Sequence, residues 1–233
     1  MQEFPRNWTE KDADELGVQM SQGSISRLET EKGKLEIEKK GLEDEKAKLE
    51  TLNKTDELTD LETLGYFKER MNKAFVSLFS IEKHRPNEPD VISIVMGDID
   101  GFKQINDTRG HQFGNEVLKA VGKLLKASVR DSDSAARYGG EEFALGFVGL
   151  DETEALRIVE KLRSTIESTP ITAANGEAVS ITMSFGITST KNARTLEGAL
   201  TQADTALYEA KGKNGTKENI PPKNKTVLFS DLA

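Results

Sequence analysis

The sequence predicts an α/β fold, an α+β sandwich in which helices flank one central mixed sheet. Two observations support this prediction. Apolar residues recur at helical spacing in four segments, and they alternate, or run without interruption, in the segments between them. The run over 91–96 is almost entirely apolar, which is typical of a central strand buried on both faces. We therefore expect helices and strands that alternate around one core.

Each element follows from its own pattern. The Pro-containing stretch 84–89 ends the first helix, and Asp151 with Glu154 resembles a capping box that opens the third. A Gly-Gly pair at 139–140 lies between two strand-like runs and predicts a tight hairpin. A short edge strand is expected at 226–229. In chain order the helices are predicted over 61–79, 117–125, 155–166 and 196–207, and the other strands over 91–96, 143–147 and 181–187.

The composition divides the chain into segments. With 31% charged residues and a mean hydropathy of −0.54, the 233 residues are too polar for a single compact globule. The polar excess is concentrated in 29–50, which is rich in Glu and Lys. We therefore expect a polar segment over 1–22, a helix over 23–55, a globular domain over 56–216 and a tail over 217–233.

Charge and composition exclude several classes of function. The net charge of −8 argues against a nucleic-acid-binding surface. The chain has no cysteine, which excludes a disulfide framework and thiolate chemistry. The N-terminus does not resemble a signal peptide, and no apolar run approaches the roughly 18 residues that span a bilayer. We therefore expect a cytoplasmic protein without a membrane segment.

The N-terminal helix carries a leucine at every seventh position. The four leucines are Leu28, Leu35, Leu42 and Leu49. This spacing is one seam of a heptad repeat and favours a short parallel coiled coil between two chains. The other core position is mostly lysine, and Gly33 and Gly41 weaken the helix. A single solvated, charged helix is the alternative.

Two acidic clusters point to a metal and to phosphate. Asp98 and Asp100 follow the buried strand, and carboxylates at i and i+2 can point at a divalent cation. Lys103 and the backbone N–H groups of this turn can hold phosphate oxygens. Two glutamates follow the Gly-Gly pair, so carboxylates from two neighbouring strands can share Mg²⁺. Taken singly, a solvated turn and an ordinary hairpin with exposed acids are the alternatives.

A third cluster runs from Asn106 to Asn115. Asn106 and Asn115 can read a purine edge by paired hydrogen bonds. His111 lies between them and suits a ligand-binding role or a structural role at a helix start equally well.

Together these blocks resemble the signature motifs of GGDEF-domain diguanylate cyclases. The matching segments are 98–107, Gly110-His111 and 137–143, in that family's order and spacing. The Gly-Gly-Glu-Glu-Phe form at 139–143 is one of the two active spellings of the motif that names the family. The resemblance covers about 56–211. It implies a palm like that of class III nucleotide cyclases, with a central mixed or antiparallel sheet.

The resemblance also implies an activity. A homodimer joined through the N-terminal helix would condense two GTP molecules into cyclic di-GMP and two pyrophosphates, with Mg²⁺ as cofactor and Mn²⁺ as the alternative ion. Asp98, Glu141 and the Ile99 carbonyl would bind the metal, and Glu141 would help deprotonate the attacking 3′-hydroxyl. The implied substrate-binding residues are Phe102, Lys103, Asn106, His111, Asn115, Gly139, Gly140 and Lys211. Arg130 and Asp133 match the family's RxxD product-inhibition site, where cyclic di-GMP is the expected ligand.

The chain departs from the family pattern at several positions. Asn115 stands where the family usually has Asp, and an amide offers guanine one acceptor while it brings a donor. Asp60 replaces a glycine in the motif that opens the domain at Asp56. Two alternatives follow: a degenerate domain that only binds cyclic di-GMP, and a cyclase with relaxed purine choice.

Overall fold

The computed structural model describes residues 27, 31–43, 54–79, 90–172, 176, 178–212 and 223–232. Contacts divide the chain into two units, Met1–Leu49 and Glu50–Ala233. In the first unit residues 31–43 are helical, and Leu35 and Leu42 are exposed on that helix. Leu28 and Leu49 lie outside the described residues, so the coiled coil stays a prediction.

The second unit is built on a six-stranded mixed sheet. Its strands are β1 (Glu62–Thr63), β2 (Ile92–Ile99), β3 (Ser134–Gly139), β4 (Glu142–Val148), β7 (Met183–Ser189) and β8 (Thr226–Leu228), and a separate small hairpin consists of β5 (Ile171–Thr172) and β6 (Ala178–Val179). The strand order in the sheet is β1-β3-β4-β2-β7-β8. Strand β2 is central and antiparallel to both neighbours, whereas β1 and β8 add to the edges in parallel. The predicted mixed sheet is confirmed.

Helices cover both faces of this sheet. They are α1 (Leu64–Phe79), α2 (Phe102–Arg109), α3 (His111–Ser128), α4 (Glu152–Ser168) and α5 (Leu196–Ala210), and a 3₁₀ turn (Phe229–Leu232) follows β8. One apolar cluster joins the sheet to α3 and α4, and a second joins it to α1 and α5. The central strand is buried along its whole length, as its apolar run predicts. Within the described part no helix is long and apolar enough to cross a membrane.

Three details differ from the sequence prediction. The first helix of the domain begins at Leu64 rather than at 61, because Glu62 and Thr63 pair with β3. Helix α2 was not predicted, because its single buried residue leaves no apolar stripe. The β5–β6 hairpin was not predicted either, since two-residue strands carry too little pattern. The capping box of Asp151 and Glu154 is confirmed in full.

Candidate active site

The end of β2 places Asp98 in the interior. Its residue is 5% exposed, and its Cα pairs with Glu142 on one side and with Ser184 on the other. The N–H of Ile99 donates to the carbonyl of Glu141 over 3.3 Å. The antiparallel pairing of β2 with β4 therefore brings Asp98 and Ile99 beside the hairpin that carries Glu141, as a shared metal site requires.

Asp98 forms an ion pair with Lys211. The ammonium Nζ contacts carboxylate Oδ1, and the side chains of Lys211 and Asp98 are 11% and 8% exposed respectively. Lys211 directly follows α5, and its N–H donates to the carbonyl of Leu207 over 2.9 Å. Helix α5 therefore positions the Lys211 ammonium next to the carboxylate of Asp98, at the end of the central strand.

The hairpin between β3 and β4 is a two-residue turn. Gly139 pairs with Glu142, so the turn residues are Gly140 and Glu141, and Gly140 has φ of +50°. A glycine adopts this left-handed backbone without steric cost. The sequence pattern put both glutamates after the turn, whereas Glu141 lies within it and only Glu142 opens β4.

Arg137 fixes the shape of this turn. Its Nε and Nη2 atoms donate to the Gly140 carbonyl over 3.1 and 2.9 Å, and Nη1 donates to Asp56 Oδ2 over 3.4 Å. Asp56 also accepts from the N–H and the hydroxyl of Thr59. Neither Arg137 nor Asp56 was predicted to support the site. Both lie within segments that resemble family motifs, which was a signal, but only the fold brings the two segments together.

The same contacts set the charge of Asp56. Burial alone raises the pKa of this carboxyl, but the hydrogen bonds from Thr59 and the Arg137 guanidinium outweigh it. The pKa of Asp56 therefore lies below its ordinary value, and the residue is a carboxylate at neutral pH.

Helix α2 begins where β2 ends, at a left-handed Gly101 with φ of +70°. Phe102 is buried at the first position of the helix, and Lys103 is exposed beside it. The N-terminus of a helix attracts anions through its unpaired N–H groups and its dipole. Together with Lys103 this terminus fits the predicted role in holding phosphate.

Asn106 carries an unusual polar atom. Its Oδ1 is buried and has no hydrogen-bond partner within the described part of the chain. The amide packs against Gly114, where any side chain would collide with Oδ1. A buried acceptor without a partner is costly, so this oxygen suits a donor that a ligand brings.

The other predicted base-binding residues lie on α3. Its N-terminal residue His111 is exposed and follows Gly110, and Asn115 is exposed one turn later. The contact between Asn106 and Gly114 brings Asn106 next to the residue that precedes Asn115. The role of Asn106, His111 and Asn115 in base binding stays a prediction.

Asp100 has its own set of hydrogen-bond donors. Its oxygens accept from the hydroxyls of Thr182 over 2.8 Å and Ser184 over 2.9 Å, and from the N–H of Asn224 over 3.1 Å. These three bonds tie the end of β2 to the segments around β7 and β8. Asp100 is therefore a structural residue, and the expectation that both carboxylates point at one cation is wrong for Asp100.

The predicted product-binding residues lie at the opposite end of β3 from the hairpin. Asp133 is 3% exposed and accepts from the N–H groups of Arg130 and Val148 over 3.0 and 3.2 Å, whereas Arg130 is exposed. Both residues border a cavity of about 590 Å³. The other polar residues of its wall include Lys54, Tyr66, Arg70 and Lys126.

The donor set at Asp98 suits a divalent cation that shares its ligands with phosphate. The described residues contain no cluster of three or more His, Cys, Asp or Glu side chains that would hold a metal alone. Mg²⁺ typically takes one or two carboxylates and completes its shell with water and substrate phosphates. Asp98 is a buried carboxylate that already attracts a cation, and this fits such a site.

Residues 53–217 match the family described as "Diguanylate cyclase, GGDEF domain". That match covers well over half of the chain, and the chain belongs to the GGDEF family. Diguanylate cyclase A of Treponema denticola is 35% identical over 173 residues, which are 72% of this chain and 45% of the relative. Diguanylate cyclase DosC of Escherichia coli K12 is 38% identical over 148 residues, 62% of this chain and 32% of the relative. The chain thus spans less than half the length of these relatives.

Solved structures share the fold. The GGDEF domain of DgcB from Caulobacter crescentus, in complex with c-di-GMP, matches with a TM-score of 0.66 and 28% identity, over 76% of this chain and 93% of that one. Diguanylate cyclase SiaD of Pseudomonas aeruginosa, in complex with its activator SiaC, matches with a TM-score of 0.65 and 26% identity, over 94% of this chain and 79% of that one. The predicted cyclase-like palm is confirmed.

Proposed function

We propose that this protein is a diguanylate cyclase that condenses two GTP molecules into cyclic di-GMP and two pyrophosphates in the cytoplasm. One observation carries the proposal: β2 and β4 set the buried Asp98 next to the turn that holds Glu141. The family match and relatives named as diguanylate cyclases support it.

In this proposal Asp98, the Ile99 carbonyl and Glu141 hold Mg²⁺, with Mn²⁺ as the alternative ion. The metal would acidify the attacking hydroxyl and neutralise charge on the leaving pyrophosphate. Glu141 accepts the proton of the 3′-hydroxyl. The 3′-oxygen bonds to the α-phosphorus of the other GTP, and the bond from that phosphorus to the bridging oxygen breaks to release pyrophosphate. A second, equivalent transfer closes the ring.

The remaining residues position GTP. Lys103, Lys211 and the start of α2 at Phe102 hold the phosphates, where fixed positive charge contributes more than covalent chemistry does. Gly139 and Gly140 let the backbone approach the nucleotide. The guanine base lies against Asn106, whose buried Oδ1 accepts a hydrogen bond from it, with His111 and Asn115 beside the base.

Each domain binds one GTP, so the reaction needs two domains face to face. We assign the pairing to the N-terminal helix, because its leucines recur every seven residues and the two that the structure describes, Leu35 and Leu42, are exposed. Such a link raises the effective concentration of the partner domain.

Cyclic di-GMP is the proposed inhibitor at Arg130 and Asp133. The exposed Arg130 guanidinium is available to a phosphate, beside a cavity lined by several basic residues. Added cyclic di-GMP should lower the initial rate of the wild type and leave that of Arg130→Ala unchanged. If added cyclic di-GMP leaves the initial rate of the wild type unchanged, this assignment is wrong.

The function is tested by product analysis after incubation with Mg²⁺ and GTP, ATP or their mixture. We expect cyclic di-GMP from GTP, and none from a Glu141→Gln variant. Binding of cyclic di-GMP without turnover would indicate a receptor instead. A mixed GMP–AMP product would indicate relaxed purine choice, which the exposed amide of Asn115 would explain because Asn also pairs with adenine.

A further inference from the structure

The ion pair between Lys211 and Asp98 joins two residues to which the proposed function gives separate tasks. Lys211 would hold phosphate, and Asp98 would hold the metal. In the structure the ammonium of Lys211 contacts Asp98 Oδ1, and both side chains are almost fully buried. Because water screens such a pair poorly, the interaction between these two charges is strong.

We propose that Lys211 competes with the divalent cation for Asp98 and thereby makes metal binding depend on nucleotide. This inference rests on the proposed function for the identity of both ligands. An ammonium and a divalent cation on the same carboxylate oxygen repel each other, and burial strengthens that repulsion. The metal therefore binds Asp98 well only when Lys211 leaves it.

Lys211 leaves Asp98 readily only if its ammonium pairs with another anion, since an unpaired buried ammonium is costly. The neighbouring carboxylate of Asp100 does not provide it, because Thr182, Ser184 and Asn224 donate to its oxygens. A nucleotide triphosphate does provide it. The backbone of Lys211 is fixed at the end of α5, so the side chain alone exchanges partners.

Metal and nucleotide are then linked in their binding. The nucleotide raises the affinity for metal, and the metal raises the affinity for nucleotide by the same factor. Lys211 acts here as a positioning residue. It keeps Asp98 oriented before loading, and it disfavours a metal ion that arrives without its triphosphate.

The test measures Mn²⁺ binding by electron paramagnetic resonance, which counts the free ion, on the full chain with and without 3′-deoxy-GTP. A protein-free solution of the same nucleotide corrects for the Mn²⁺ that the triphosphate chelates by itself. This nucleotide lacks the attacking hydroxyl, so no turnover interferes. In the wild type we expect the nucleotide to raise Mn²⁺ affinity by at least about fivefold. In Lys211→Met, which removes the charge and keeps the bulk, we expect Mn²⁺ alone to bind at least about fivefold more tightly than to the wild type.

Three control variants separate the charge of Lys211 from its bulk and from charge elsewhere on the surface. Lys211→Arg keeps the charge and should keep the weak binding of Mn²⁺ alone. Asp98→Asn should abolish the tight site with and without nucleotide. Lys191→Met removes the lysine that pairs with Asp151 at the start of α4 and should leave Mn²⁺ binding unchanged.

A Lys211→Met protein that binds Mn²⁺ alone no more tightly than the wild type overturns the inference. If that variant does not fold, a wild type that binds Mn²⁺ equally well with and without 3′-deoxy-GTP overturns it as well. Because no step of the test needs turnover, its outcome is separate from that of the proposed function. If the wild type makes no cyclic di-GMP but Lys211→Met still binds Mn²⁺ alone more tightly, only the proposed cyclase activity is refuted.

Discussion

At the scale of single residues, backbone conformation explains one departure from the family pattern. Asp60 has φ of +57°, a left-handed conformation that favours glycine. Its N–H donates to the Asp56 carbonyl over 2.9 Å, and its own carbonyl accepts from Lys126, so the turn is held in this shape. The family's glycine at this position satisfies the same geometry without a Cβ.

We expect Asp60→Gly to stabilise the protein by about 0.5–1 kcal/mol, because it relieves left-handed strain. Asp60→Ala is the matched control. It keeps the Cβ and loses the tolerance of Asp for this conformation, so it should give no gain. Urea denaturation followed by circular dichroism measures the stability of both variants. If Asp60→Gly is less stable than the wild type, the left-handed backbone of Asp60 is not strained.

A second residue-scale expectation concerns acid. The pKa of Asp56 is lowered, so its contribution to stability is complete above the unfolded pKa of about 3.9 and is lost as the pH falls through the lower folded value. Asp56→Asn should therefore cost about 0.5–1 kcal/mol at pH 7, a modest value because the carboxyl is partly exposed. The cost should shrink near pH 2.

Urea unfolding of the wild type and Asp56→Asn at both pH values checks this expectation. Asp107→Asn, which changes an exposed aspartate on α2, serves as the control and should cost little at either pH. An Asp56→Asn cost that is equal at pH 7 and pH 2 would show that the charge of Asp56 does not contribute to stability.

At the scale of elements, the contact between β7 and α5 positions Lys211. Gly186 faces the backbone of α5, where a Cβ would press against the carbonyl of Ala203 and the N–H of Leu207. Backbone atoms cannot turn aside as a side chain can. Helix α5 therefore approaches the sheet closely only because residue 186 is glycine.

Gly186→Ala should destabilise the protein by about 1–3 kcal/mol, since it forces α5 off the sheet. Gly139→Ala is the matched control for stability, because a Cβ there meets nothing within 4 Å. Thermal unfolding followed by circular dichroism compares them. A Gly186→Ala protein as stable as the control would contradict the close packing.

The strands of the sheet were predictable from the sequence, whereas contacts between distant segments were not. The apolar run of β2 and the alternation of β4 and β7 predicted the sheet, because burial dictates those patterns. The contact of Arg137 with both Asp56 and Gly140 was not predictable, since it joins segments 81 residues apart in the chain. Likewise, the partners of Asp100 come from β7 and from Asn224, so spacing within its own motif misplaced that carboxylate.

At the scale of the whole molecule, the proposed reaction requires two chains. Leu42→Glu places a charge in the leucine seam of the N-terminal helix and should weaken the dimer. We expect its specific activity to fall several-fold at low protein concentration and to recover as concentration rises. Lys40→Gln changes the charge by the same amount outside the seam and is the control.

Analytical ultracentrifugation and activity measured over a range of protein concentrations test this expectation. Equal activity of Leu42→Glu and Lys40→Gln at every concentration would show that the helix does not pair the domains.

The proposed condensation of GTP depends on Asp98 and Glu141. The most direct test measures pyrophosphate and cyclic di-GMP released together from GTP and Mg²⁺, by the wild type and by Glu141→Gln with Glu142→Gln as its neighbour control. We predict two pyrophosphates for each cyclic di-GMP, with a rate that falls at least about 100-fold in Glu141→Gln and much less in Glu142→Gln. Release of GDP and phosphate, or equal rates in the wild type and Glu141→Gln, would show that the protein does not condense GTP in this way.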